Sequence, residues 1–84
     1  MSFVLLTARE CHLCAHGREV LGGLAAEGLL DWREVDADSD EGRALAEGAP
    51  PLRPVLYDAD GHVVAYGRLS ARRLRRARLL SPQP

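Results

Sequence analysis

The sequence has no lysine, isoleucine or asparagine, no internal repeat and no long hydrophobic run. Its longest opening apolar stretch, Phe3 to Leu6, is far too short for a signal peptide or a membrane span. A membrane partner is therefore not expected, and a soluble cytoplasmic protein is the default. Without lysine, arginine carries every basic side-chain charge, as a GC-rich coding sequence produces. Single arginines are weak functional signals for that reason. Aromatic residues are only 5% of the chain, and none lies among the C-terminal arginines. Stacking on nucleic-acid bases has no support there, and nucleic acid is a disfavoured partner. With 84 residues there is room for one modest core and not for two. The expected domain runs over 1–80, with 81–84 as a frayed tail.

What is present is ordinary for a globular domain: 46% apolar and 27% charged residues. The charge is unevenly placed. Residues 1–67 carry five arginines against all twelve acids, a net −7, whereas 68–84 carry six arginines and no acid.

The run Phe3 to Ala8 is continuously apolar apart from Thr7, as expected of a strand buried on both faces. Leu13, Val20, Leu21, Leu24 and Ala25 have helical spacing, and Gly28 is a natural helix stop. Gly17, Gly22 and Gly23 each weaken that helix by up to about 1 kcal/mol, so packing has to sustain it. A second strand is expected around Trp32 and Val35. Ser39 or Asp40 caps a short helix that Gly48 closes. Val55–Tyr57 and His62–Tyr66 flank an Asp-Ala-Asp-Gly turn and read as a hairpin. Ser70 caps a last helix over 71–80. There Ala71, Leu74 and Ala77 form the packing stripe, opposite Arg72, Arg73, Arg75 and Arg76. Those arginines read first as a solvated face complementing the acidic stretch Asp31–Glu41, and second as a docking face for an acidic partner. The order is β-α-β-α-β-β-α, an α/β domain with a mixed sheet.

Both cysteines, Cys11 and Cys14, lie where the first strand hands over to the first helix. At a helix N-terminus, unpaired N–H groups and the helix dipole stabilise a thiolate at Cys11. Cys14 falls one turn further in, on the same face, within disulfide reach. A cysteine pair at this spacing in a βαβ pattern points to thiol–disulfide chemistry. A zinc site needs four ligands. His12 lies about 100° around the helix from Cys11 and His16 about 200° from Cys14, so neither converges on the pair. A metal or iron–sulfur site shared between two chains stays open, as do two inert buried thiols. Glu10 opposes a thiolate at Cys11; Arg9 and Arg53 support it if they face it, and a protonated His12 would do the same. His16 and His62 read as exposed polar residues.

Cys-His-Leu-Cys after an apolar strand, Arg33 to Asp38 as the second strand, Leu52 to Tyr57, and the capped final helix together resemble the small bacterial glutaredoxin-like proteins of the thioredoxin superfamily. The resemblance covers 3–80. It implies a four-stranded sheet ordered 2-1-3-4, with the first and third helices on one face and the second on the other. It also implies a cis-proline at Pro54, opposite the cysteine pair. Family members that use glutathione carry a basic residue three positions before the first cysteine, where this chain has Ala8, with Arg9 one place late. Their Thr-Val-Pro is Leu52-Arg53-Pro54 here, and their Gly-Gly and following Asp are represented by Gly67 and Ser70. The expectation is a monomeric dithiol oxidoreductase with Cys11 and Cys14 catalytic and no bound cofactor or metal. Pro54, Arg53, His12, Arg9, Gly67 and Ser70 would contact a disulfide-containing protein or small thiol substrate. Glutathione or a reductase would be the external reductant. The alternative is a non-catalytic binding module that works through the arginine helix.

Overall fold

β1 (Ser2–Thr7) is apolar from Phe3 to Leu6 because it is central. It pairs in parallel with β2 (Asp31–Asp36), Leu5 opposite Glu34, and antiparallel with β3 (Val55–Tyr57), Leu5 opposite Leu56. β3 pairs antiparallel with β4 (Val63–Tyr66), with a register shift between Leu56 and Tyr57. The sheet order is β2-β1-β3-β4, as expected. These relations come from a computed structural model that describes residues 2–77. The expected end of the last helix and the tail 81–84 lie outside the described residues.

Three helices complete the α/β domain: α1 (His12–Ala26), α2 (Asp40–Ala46) and α3 (Ala71–Arg76). Alternation along β1 divides the core in two. Phe3 and Leu5 face α1 and α3, meeting Leu21, Leu24, Leu69 and Leu74. Leu6 faces the other way with Val35, Val55 and Tyr57, under Leu45 and Ala46 of α2. Helices therefore cover both faces, and all three residues of the short β3 are buried.

The caps account for the helix boundaries. The Ser39 hydroxyl accepts the N–H of Gly42 at 3.0 Å, and the Ser70 hydroxyl accepts that of Arg73 at 3.2 Å. Gly28, at φ 76°, turns the chain out of α1 in the left-handed region that a side chain disfavours. One packing expectation needs correcting. α3 ends at Arg76, so Ala77 is an exposed cap rather than part of the buried stripe. Ala71 and Leu74 hold α3 down together with Leu69.

Candidate active site

At the start of α1 a cysteine occupies the capping position that serine or aspartate usually takes. Cys11 is extended (φ −112°, ψ 105°), and its Sγ accepts the N–H of Cys14 at 3.1 Å. The first N–H groups of a helix have no intrahelical partner, so sulfur placed there lies among donors at the positive end of the dipole. Glu10 immediately before it has φ 51°, a left-handed conformation uncommon for a side-chain-bearing residue. Cys11 and Cys14 form a disulfide with Cα atoms 5.1 Å apart. The two sulfurs differ in access. Cys11 is half-buried, whereas Cys14 is fully buried.

Pro54 lies across from this pair. The Arg53–Pro54 bond is cis, and the Arg53 carbonyl oxygen lies 3.8 Å from Cys11 Sγ. The Pro54 carbonyl accepts the N–H of Gly67 at 2.8 Å, which ties this loop to the end of β4. Arg53 contributes through its backbone only. Its guanidinium donates to the carbonyls of Pro50 at 2.9 Å and Leu52 at 3.1 Å. Its charge is felt at Tyr57 instead, where burial pushes the hydroxyl pKa up and the Arg53 cation partly offsets that.

The other expected contacts divide. Arg9 and His12 are exposed at the mouth of the site, and neither side chain has a polar partner among the described residues. Gly67 is buried and its N–H is committed to Pro54. Ser70 is half-buried, with its hydroxyl committed to the α3 cap. Leu13, expected in the apolar stripe of the first helix, is 36% exposed beside Cys14, and Leu52, next to Arg53, is 55% exposed.

Two residues not assigned to the site from the sequence hold it together. His16, read as exposed, is half-buried, and its Nε2 lies 3.0 Å from the Leu69 carbonyl as a hydrogen-bond donor. Gly17 lies one turn after Cys14 on the buried face of α1. A Cβ there would stand 3.3 Å from both Pro54 Cγ and Leu69 Cδ1. α1 approaches the cis-proline this closely because nothing projects from position 17. In the sequence, a glycine on the Cys14 face is the signal for this close approach. Gly17→Val is expected to destabilise the domain by about 1–3 kcal/mol through overpacking. Denaturant unfolding measures this, and an unchanged midpoint would mean that Pro54 and Leu69 move aside freely.

Beside the site, the last residue of β1 joins α1 to β2. Buried Thr7 donates its hydroxyl to Glu34 Oε2 at 2.7 Å, and Arg18 grips the same carboxylate through Nε at 2.9 Å and Nη2 at 2.8 Å. The Arg18 hydrogen bonds, aided by Thr7, hold the Glu34 carboxyl below the usual glutamate range against the effect of partial burial. A depressed carboxyl stabilises the fold fully above its unfolded-state pKa and loses that contribution as pH falls through its folded value. Glu34→Gln should therefore lower stability at neutral and alkaline pH and flatten the acid limb of the stability–pH curve, so that variant and parent converge as pH falls. Since the two side chains are 42% and 35% exposed, the effect should stay below about 1 kcal/mol. Thermal unfolding across acidic pH checks it.

Among the described residues, the group able to offer three metal-ligand atoms is Asp58, Asp60 and His62 in the hairpin turn, with those atoms within 4.8 Å of one another. Asp58 is already engaged there, accepting the N–H groups of Asp60 and His62 at 2.9 Å each. The cysteines belong to no such group. No described helix is long and apolar enough to cross a membrane. No protein-family model matches the chain, and no curated protein matches it by sequence.

Proposed function

We propose that the protein is a dithiol thiol–disulfide oxidoreductase of glutaredoxin-like, thioredoxin-fold type. The observation that carries this reading is the unequal pair: a half-buried Cys11 at the N-cap of α1, facing the Arg53 carbonyl, joined to a fully buried Cys14. In the reduced protein the Cys11 thiolate attacks one sulfur of a substrate disulfide, and the other substrate sulfur leaves as a thiolate. Cys14 then loses its proton and attacks Cys11 sulfur, releasing the second substrate thiolate. Two electrons have passed to substrate, and the Cys11–Cys14 disulfide remains. Two equivalents of an external thiol such as glutathione, or a reductase, restore the dithiol and are oxidised in turn.

The helix N-terminus favours Cys11 as both nucleophile and leaving group, since the N–H of Cys14 is aimed at its sulfur. The groove over the pair would be shaped by Pro54 and by the apolar side chains of Leu13 and Leu52. Glutathione finds few of the contacts that members of that family using it supply. Ala8 offers no charge, Gly67 N–H is already bonded and the Ser70 hydroxyl caps a helix.

A turnover assay on a small dialkyl disulfide, reset by glutathione or by dithiothreitol, tests both points. Turnover with dithiothreitol should be clear, and with glutathione it should saturate only at high thiol concentration. Absence of turnover with either reductant would overturn the oxidoreductase reading. Saturation at low glutathione would mean that Arg9 or another cation replaces the missing contacts.

A further inference from the structure

Among the described residues, a concavity of ≈ 430 Å³ lies between β4 and α3, outside the disulfide site. Val64, Leu69 and Leu74 form its floor, and the exposed side chains of Tyr66, Arg68 and Arg73 stand at its edge. No carboxylate lines it. Four other exposed arginines of the described chain find acids, and Arg9 does not: Arg18 holds Glu34, Arg33 holds Glu41, Arg43 reaches Asp40 and Arg75 holds Glu27. The acidic stretch Asp31–Glu41 is thus engaged mainly by arginines outside α3, contrary to the complement expected from the sequence. Arg68, Arg72, Arg73 and Arg76 reach no carboxylate among the described residues.

An apolar floor beside unpaired guanidiniums has a definite chemical complement. Guanidinium is a weakly hydrated, planar donor suited to carboxylates, and buried apolar walls accept aliphatic side chains. A nucleic acid would meet the charge, but its bases would find one aromatic side chain, Tyr66, and no series of stacking platforms. We infer that the β4–α3 groove docks an acidic segment, interspersed with apolar side chains, of a partner protein. The inference goes beyond the redox reading and does not require it. The two sites do share a wall. Leu69, in the groove floor, also packs beside Gly17, and its carbonyl accepts from His16. A partner held in the groove would lie alongside the disulfide.

The test is fluorescence anisotropy of a labelled twelve-residue peptide of glutamates interspersed with leucines, titrated with the full chain in oxidised and reduced forms. Saturable binding in both forms is expected, weakening as salt rises. The Arg68→Gln/Arg73→Gln variant should lose at least tenfold in affinity, and Arg33→Gln, on the far edge of the sheet, less than twofold. Replacing the leucines by serine should also weaken binding. Binding by a chain that turns over no disulfide would support the docking site while removing the redox reading. Three results would overturn the inference: no saturable binding, equal losses for the two arginine variants, or tighter binding of a single-stranded oligonucleotide of equal charge.

Discussion

Cys11→Ser protein is expected to lose disulfide exchange by about 10³-fold or more, while Cys14→Ser protein accumulates a stable mixed disulfide on Cys11. The two substitutions differ because the two sulfurs differ. Cys11 is half-buried at the cap, where Cys14 N–H approaches its sulfur to 3.1 Å. Serine at that position still caps the helix, so the fold survives while the nucleophile is gone. Cys14 is fully buried, so an incoming disulfide cannot reach it without opening α1. Its reach extends to Cys11 sulfur alone, and removing it blocks only the second displacement. Mass spectrometry after mixing each reduced variant with a small disulfide reads the outcome directly. Adducts that form on Cys14 in the Cys11→Ser protein as fast as on Cys11 in the other variant would overturn the assignment of roles.

The parts of this site that could be read in advance are those written in local chemistry. Two cysteines three apart, at the junction of an apolar run and a helical pattern, need no tertiary information to be placed at a helix start. Ser39, Ser70 and Gly28 mark helix ends for reasons contained within one turn of chain. β1 is apolar at consecutive positions because strands lie on both sides of it and helices on both its faces. Phe3 to Leu6 already announced that. What could not be read depends on which elements meet. Nothing local tells whether the guanidinium of Arg53 turns toward Cys11 or back onto the carbonyls of Pro50 and Leu52, and it does the latter. His16 lies on the same helix as exposed polar residues and is distinguished only by the arrival of the Leu69 carbonyl from 53 residues away. Glycines pose the same difficulty. Gly17 and Gly22 look alike in a helical pattern, yet a Cβ would press on Pro54 and Leu69 at the first and meet nothing within 4 Å at the second.

That contrast is sharpest at Gly42, where alanine is expected to cost about 3 kcal/mol or more and to lower the melting temperature by about 12 °C or more. α2 begins by folding straight back onto the end of β2. Ser39 donates both its N–H, at 3.0 Å, and its hydroxyl, at 2.6 Å, to the Asp36 carbonyl, and its hydroxyl oxygen accepts Gly42 N–H. These bonds draw the first turn of α2 against the backbone of Asp36 and Ala37. A Cβ on residue 42 would fall 1.9 Å from the Asp36 oxygen and 2.8 Å from Ala37 Cα. Both obstacles are backbone, so no rotamer change relieves the clash. Either the helix lifts off, exposing Leu6, Val35 and Tyr57 beneath it, or the β2 end shifts and breaks the Ser39 cap. Gly22→Ala is the matched control. That position is an exposed helix interior with open space around it, so alanine should stabilise the domain by about 0.5–1 kcal/mol through helix propensity. Denaturant and thermal unfolding of the two variants, with the oxidised parent, measure both signs. A Gly42→Ala protein as stable as the parent would mean that α2 does not dock on β2 this closely. Because α2 lies on the sheet face opposite α1, a destabilised Gly42→Ala protein should still form the Cys11–Cys14 disulfide under conditions where it is folded, and thiol quantification would show it.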